Sequence, residues 1–282
     1  MPKTIGNPLS WTMGALGSAA NYATVVAAPA RDNAPPQVRK LAMGDLRTAL
    51  RKGWEDLAAM RSDVMFACML YPLMGAVLLA LAAQGNLTHL LFPALSGFAL
   101  VGPVAALGLY ELSRRREAGL EVSWASMFDV LRSPRFPRIV MLALFNGVIF
   151  MAWLLLADAI HAMTLGPERP ESLMALLTAA VTTPAGWAMT IIGTGVGFLL
   201  SVAVLAVSVV SFPLLLDRDV SLPVAVTTSV RVARENPQVI AAWGLIVALG
   251  LAIGILPFLL GLIVVLPVLG HATWHLYRAA VV

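Results

Sequence analysis

The sequence predicts an all-α membrane protein: a polytopic bundle of six transmembrane helices with three cytoplasmic interfacial amphipathic helices. Composition is the first observation behind this prediction, because 59% of the 282 residues are apolar and 12% are charged, whereas soluble domains carry about 25% charged residues. Six long apolar segments are the second observation, and the placement of the basic residues is the third. This composition excludes soluble enzymes, disordered proteins and nucleic-acid-binding domains. The single cysteine, Cys68, excludes a disulfide framework.

The six apolar segments approach or exceed the ~20 residues that a bilayer-spanning helix needs. They cover residues 64–83, 90–112, 138–160, 186–216, 238–255 and 258–277. The fourth segment is too long for one perpendicular span, so we expect it to tilt, kink or project beyond the membrane. The last two form one uncharged stretch, which we expect to break at Gly254 and Pro257. The tip of that hairpin is apolar, so a full hairpin and a re-entrant one both stay open.

Basic residues mark one side of the predicted bundle. Eighteen of the nineteen Lys and Arg residues fall before span 1, between spans 2 and 3, between spans 4 and 5, or after span 6. Only Arg169 falls on the other side. Because basic loops stay in the cytoplasm, we expect both termini to be cytoplasmic. Residues 1–42 are rich in Ala, Pro, Asn and Ser and are predicted to form a disordered cytoplasmic tail, which leaves 43–282 as the six-span membrane domain.

Each pair of spans is preceded by a short amphipathic segment, which predicts the three interfacial helices. Apolar residues recur at helical spacing in all three: Leu46, Leu50, Trp54, Leu57 and Met60; Trp124, Met127, Phe128 and Leu131; and Leu222, Val226, Val230 and Ala233. Ser123 and Ser221 are the predicted N-caps of the second and third helices.

The order of these segments is compatible with a threefold internal repeat of units 45–112, 123–216 and 221–280. Glu111 and His275 occupy matching positions in this alignment, since each follows a proline of an even-numbered span by the same number of residues. Any hairpin protein with basic loops on one side would show a similar pattern. The repeat is therefore one of two interpretations.

Four segments of the sequence resemble those of a known protein family. They read FALVGPVAALGLYELSRRRE (98–117), VVSFPLLLDR (209–218), AAWGLIV (241–247) and GLIVVLPVLGHATWHLYR (261–278). Over roughly 45–280 the chain resembles a domain-of-unknown-function family of predicted bacterial integral membrane proteins, some of them labelled as cytochrome c oxidase proteins. The resemblance implies a bacterial inner membrane and no established activity. Four histidines are too few for a catalytic oxidase subunit with two haems and copper, but an accessory or assembly role stays open.

The ionisable residues near the cytoplasmic ends of the spans form the main candidate site. His271 and His275 lie four residues apart on one helix face, a spacing that can hold Zn or Cu, and Glu111 and Asp217 are predicted at a similar depth. The group is a candidate metal site or a candidate polar path for a proton or solute. In the alternative interpretation, these side chains make structural hydrogen bonds within an interfacial belt.

A second pair lies near the outer end of span 3. Asp158 and His161 are three residues apart, which suits a proton relay. The alternative is that both side chains simply face the aqueous boundary.

Two classes of function follow from these observations. The sequence contains no nucleophile–base pair, P-loop or carboxylate dyad, so we expect neither enzyme activity nor a cofactor. The first class is an accessory or assembly component of a membrane complex, such as a respiratory one, whose partners are the lipid bilayer and other membrane subunits, not nucleic acid. The alternative is a small-solute or ion transporter or channel. A transporter predicts a polar cavity between spans 2, 4 and 6 that contains His271 and Glu111, whereas an accessory protein predicts a dry, filled centre.

Overall fold

The computed structural model describes residues 34–69, 72, 73, 75–77, 80 and 87–282. Most of the predicted tail, residues 1–33, and parts of predicted span 1 (64–83) lie outside the described residues. Within the described ranges the chain is helical and contains no strand, and a single antiparallel bridge joins Val38 to Val281. The all-α prediction is confirmed.

The helices follow one another with short connections. They are α1 (Met43–Cys68), α2 (Leu91–Ser96), α3 (Phe98–Ala105), α4 (Leu107–Glu117), α5 (Phe136–Thr164), α6 (Leu173–Thr182), α7 (Pro184–Ser208), α8 (Ser211–Asp217), α9 (Leu222–Glu235), α10 (Pro237–Ile255) and α11 (Leu262–Ala280). Two 3₁₀ segments, Thr88–Leu90 and Trp124–Arg132, precede α2 and α5.

Three segments of the described chain are long and apolar enough to cross a membrane. They are α5, the pair α7–α8 and α10, and they correspond to predicted spans 3, 4 and 5. The sixth predicted span is a helix, α11, but its second half carries His271, His275 and Arg278. These polar residues lower its mean hydropathy, so the count of six spans is not confirmed by helix length and composition.

Predicted span 2 (90–112) is divided into α2, α3 and α4, with breaks at Gly97 and Ala106. Gly97 lies directly against the ring of Phe150, where a Cβ atom would be 2.0 Å from the nearest ring carbon. The carbonyl of Pro93 accepts a hydrogen bond from the indole Nε1 of Trp153 at 3.0 Å. The broken helix is thus fastened to α5 by close packing and a side-chain hydrogen bond.

The long fourth span kinks at Val209 and Val210, between α7 and α8. The amide of Val210 donates to Ser229 Oγ of α9 at 3.3 Å, and Ser211 Oγ donates to the Ala225 carbonyl at 3.1 Å. Side chains and carbonyls of α9 therefore replace part of the backbone hydrogen bonding that continues an α-helix. Of the outcomes expected for this span, the kink is the one observed.

The segment predicted as the first interfacial helix forms the first part of α1. A kink with non-helical backbone angles at Met60 (φ −123°, ψ 16°) separates it from the rest of α1. α1 runs antiparallel to α11, and Gly53 lies so close to α11 that a Cβ atom would be 2.7 Å from Ala272 N. The buried stripe passes through Gly53 and Asp56, whereas Trp54, expected on the apolar face, is 57% exposed. Contact with α11, rather than the local apolar pattern alone, selects the buried face.

The other two predicted interfacial segments form helices where expected. Trp124–Arg132 is a 3₁₀ segment in which Trp124, Phe128 and Leu131 are exposed. In α9, the N-cap Ser221 accepts a hydrogen bond from the Val224 amide, as predicted. The buried face of α9 is rotated from the predicted apolar face and consists of Ala225, Thr228, Ser229 and Val232.

The last apolar stretch breaks close to the expected position. α10 ends at Ile255, and α11 begins at Leu262. Phe258 and Leu259 in the turn have positive φ values of 51° and 68°. The tip is apolar, and Phe258 at its centre is exposed.

The basic residues of distant segments meet at one end of the bundle, which we call the basic end. Lys40 donates to the Glu235 carbonyl at 2.6 Å, and Arg138 pairs with Asp219 at 2.6 Å. The opposite end, which holds His89, Asp158, His161, Arg169 and the α10–α11 turn, is called the far end. The completely buried apolar core lies near the basic end, around residues such as Phe212, Leu214, Trp274 and Tyr277.

Candidate functional site

A carboxylate of α1 organises the polar residues between α1, α4 and α11. Asp56 is 5% exposed, and three side chains converge on it: Ser113 Oγ at 2.5 Å, His275 Nε2 at 2.9 Å, and the guanidinium of Arg116. His271 Nδ1 lies 2.8 Å from Ser113 Oγ. We call Asp56, Ser113, Arg116, His271 and His275 the Asp56 cluster. It ties three helices together at the basic end.

Proton counting fixes the directions of the hydrogen bonds in this cluster. Ser113 has one hydroxyl proton and donates it to Asp56, so His271 donates its Nδ1 proton to Ser113 Oγ. The other ring nitrogen, His271 Nε2, is buried and has no hydrogen-bond partner among the described residues. His271 itself has no exposed surface. The polar contacts of the cluster are thus buried, and one ring nitrogen of His271 takes no part in them.

The electrostatics of the cluster keep Asp56 ionised. Burial alone would raise the pKa of the Asp56 carboxyl, but the hydrogen bonds from His275 and Ser113 and the charges of the two histidines outweigh it and hold the pKa below its usual range. An ionised carboxylate matches the neighbouring Arg116 guanidinium. An ionised carboxylate with these partners can hold α1, α4 and α11 in fixed positions relative to one another.

The predicted group of four ionisable residues divides into separate sets. His271 and His275 share Asp56, a residue that sequence reasoning missed. Glu111 instead accepts two hydrogen bonds from Arg114, at 2.7 and 2.8 Å. Within the described ranges no group of three or more His, Cys, Asp and Glu side chains is placed to hold a metal ion.

Asp217 contacts other side chains of α11 and not the two histidines. It accepts a hydrogen bond from the Tyr277 hydroxyl at 2.6 Å and one from Arg278 at 3.4 Å. Glu117 accepts from Trp274 Nε1 at 2.9 Å and from Arg278 at 3.1 Å. The aromatic residues of α11 are thus bonded to α4 and α8.

The second predicted pair, Asp158 and His161, is joined by His89 at the far end. Asp158 Oδ1 lies 2.7 Å from His89 Nε2 and 3.2 Å from Arg169 Nη1. The ring of His161 is tilted against that of His89, with centroids 4.8 Å apart. The carboxylate therefore pairs with His89 and Arg169, whereas the predicted partner, His161, contacts the His89 ring.

An apolar cavity of about 440 Å³ lies between α3, α4, α7, α10 and α11. Its wall includes Pro103, Ala106, Val204, Gly244 and Leu266. A few hydroxyl groups reach its edge, from Tyr110, Ser201, Ser208 and Thr273. Neither His271 nor Glu111 lines it, and among the described residues no charged side chain does. The space between spans 2, 4 and 6 is therefore lined mainly by apolar side chains, and it is not completely filled.

Comparison with known families supports the expectation of a membrane protein. Residues 91–217 match the model of a family described as "Predicted integral membrane protein (DUF2189)". The matched segment is similar to DUF2189 proteins. No curated protein and no solved structure matches the chain.

The DUF2189 match confirms the resemblance to a domain-of-unknown-function family and locates it more narrowly than the sequence strings did. It spans α2 to α8 and includes Ser113, Arg116 and Asp217. Asp56, His271 and His275 lie outside the matched residues. The Asp56 cluster therefore connects the DUF2189 segment to the helices on both sides of it.

One signal in the sequence identifies Asp56 in retrospect. Its position follows Ala49 and Gly53 at helical spacing, on a stripe of small and apolar residues. A carboxylate on such a stripe is expected to be buried and therefore paired. The sequence analysis also did not group His89 with its partner Asp158, which is 69 residues away in the sequence.

Proposed function

We propose that this chain is a non-catalytic accessory or assembly component of a larger membrane complex, such as a respiratory one, in a bacterial inner membrane. One observation carries the proposal. The buried ionisable groups of the bundle bind one another, while the cavity between the helices is apolar. The polar residues thus stabilise a scaffold instead of lining a path.

The proposed topology has six spans with both termini in the cytoplasm. The meeting of basic segments at one end supports this orientation, because positively charged loops are retained on the cytoplasmic side. Large apolar side chains such as Leu144, Val148 and Phe198 are exposed on α5 and α7, as expected for surfaces that face lipid. The threefold repeat receives less support, because α3 and α4 break at Ala106 while α11 continues through Pro267.

The burial of Ser113 and His271 favours a non-catalytic role. A nucleophilic serine needs a base within hydrogen-bond reach, and His271 satisfies this distance. However, Ser113 is 1% exposed and His271 0% exposed, which supports a packing role rather than a catalytic one. Their geometry serves the packing of α4 on α11.

The transporter alternative requires a polar cavity that contains His271 and Glu111. The observed cavity contains neither residue, and Glu111 is occupied by Arg114. Buried ionisable residues in transport proteins mark ion pathways, but here they close on one another. The accessory role is therefore the better-supported class.

Extraction from native membranes in a mild detergent tests the proposed function. We expect the tagged chain to migrate in native electrophoresis well above its own mass of 29.9 kDa, with membrane subunits that co-purify in fixed ratio. The same tag on a soluble carrier protein, expressed without this chain, is the control for proteins that bind the tag itself. A monodisperse chain with no stable partner would contradict the accessory role.

A further inference from the structure

A groove between α1 and α10 combines an apolar floor with basic residues on its rim. The floor consists of Leu46, Leu50, Ala242, Ile246 and Val268, and the open volume above it is about 630 Å³. We call this the α1–α10 groove. It is separate from the Asp56 cluster and from the apolar cavity described above.

Arg47 and Arg51 stand on one rim of the groove, one helical turn apart. Like charges at this spacing repel each other, so an anion between them is favoured. Arg51 has an exposed contact with Glu55 at 3.2 Å, which is weak in water. Within the described part of the chain, Arg47 has no ion pair. Arg47 is thus available to an anionic ligand, and Arg51 can bind one by exchanging its weak, exposed contact with Glu55.

In the proposed topology, the groove lies at the depth where lipid headgroups meet acyl chains. Ala242 and Ile246 follow the first residue of α10 by about 8 and 14 Å along the helix axis, just below the basic end. Trp54, on the same rim, is half exposed, and tryptophan is enriched at the membrane–water interface. Apart from Trp54 and the two arginines, the residues that line the groove have aliphatic or thioether side chains.

We propose that the α1–α10 groove binds an anionic phospholipid. The phosphate lies between Arg47 and Arg51, and one acyl chain lies along the apolar floor. The charge complementarity selects an anionic headgroup, because basic pockets between helices on the cytoplasmic side bind such headgroups. The close contact of Gly53 with α11 holds the backbone of this part of α1 against α11, so the Cα positions of the two arginines do not depend on the lipid. The inference rests on the proposed membrane topology.

Native mass spectrometry of the full chain, delipidated in detergent, tests this proposal. With equal amounts of dioleoylphosphatidylglycerol and dioleoylphosphatidylcholine, we expect the phosphatidylglycerol adduct to dominate. Arg47→Gln is expected to weaken the phosphatidylglycerol adduct about fivefold, the effect of removing one basic residue near an anionic surface. Lys52→Gln also removes one positive charge from α1, at an exposed position outside the groove. This control variant is expected to bind phosphatidylglycerol as well as the wild type does.

A second pair of variants tests the apolar floor without changing charge. Ala242→Phe fills the groove and is expected to abolish the preferential adduct. Leu249→Phe places an equal ring on an exposed part of α10 outside the groove and is expected to retain it. Equal loss in Arg47→Gln and Lys52→Gln, or retention in Ala242→Phe, would overturn the proposal.

Two further measurements complete the test. One distinguishes a lipid site from a site for free phosphate, and the other distinguishes failure of this proposal from failure of the proposed function. Thermal stabilisation by inorganic phosphate equal to that by phosphatidylglycerol would show a small-anion site and overturn the proposal. Equal binding of phosphatidylcholine would overturn it as well. Recovery of the chain in the soluble fraction after cell disruption would instead refute the membrane topology on which the proposal depends.

Discussion

The two polar clusters of this protein differ in how deeply they are enclosed. The Asp56 cluster at the basic end is formed by three helices that pack on one another, and Asp56, Ser113 and His271 are almost entirely buried. At the far end, His89 is buried, but its partner Asp158 and the neighbouring Arg169 have side chains that are 47% and 45% exposed. A pair of charges is weakened by water and salt in the second setting far more than in the first. The basic end is therefore expected to hold the fold together, and the far end to contribute little.

Removal of the Asp56 carboxylate is the strongest test of this comparison. Asp56→Ala leaves Arg116, Ser113 and His275 without their shared partner, so we expect a loss of about 3–5 kcal/mol in the free energy of unfolding. The measurement is denaturation in mixed micelles followed by circular dichroism. Glu55→Ala, a half-exposed carboxylate one residue away on α1, is the control and is expected to change stability by less than ~0.5 kcal/mol.

The contact between α1 and α11 should be the next most sensitive feature. Gly53→Ala places a Cβ atom 2.7 Å from backbone atoms of α11, and the helices must separate, at a cost of about 1–3 kcal/mol. Gly44→Ala in the same helix meets no atom within 4 Å and should stabilise the protein by about 0.4–1 kcal/mol. If both variants unfold at the same denaturant concentration, the close contact is not important for stability.

Acidification should weaken the basic end through Asp56. Because its pKa is lower in the folded chain than the usual 3.8, the carboxylate contributes its full stabilisation above that value. The contribution is lost as the pH falls from about 4 through the pKa of the folded state. Stability of the wild type between pH 6 and pH 3, compared with Asp56→Asn, isolates this effect. A parallel decline in both proteins would exclude Asp56 as its source.

The far end should give the smallest effect. Arg169→Gln removes a partner of Asp158, but the pair is about half exposed, so we expect a change of at most about 1 kcal/mol. The same mixed-micelle titration measures it. A loss as large as that of Asp56→Ala would reverse the comparison between the two ends.

Composition and charge placement predicted much of the fold. The apolar segments and the basic loops predicted helices at 138–160, 186–216 and 238–255 and the break after Gly254, all of which the structure contains. These features are local, since they depend on runs of apolar residues and on helix-breaking positions.

The candidate site was less predictable because its contacts join segments that are distant in the sequence. His271 and His275 were identified from their spacing, but Asp56, 219 residues before His275, was not. Glu111 was grouped with His275 through a repeat alignment, whereas the nearer Arg114 binds it. An alignment of spans indicates depth in the membrane but not the direction in which each side chain points.

The long separation between Asp56 and His275 also sets an order of events during synthesis. At about 5–20 residues per second, Arg116 follows Asp56 after about 3–12 s, and His275 after about 11–44 s. During that interval the Asp56 carboxylate has Ser113 and Arg116 as partners within the cluster, and α1 has no α11 to pack against. The basic end therefore reaches its final packing only when α11 has been made, so a pause in translation before α11 would leave an exposed face of α1 for a chaperone or protease to bind.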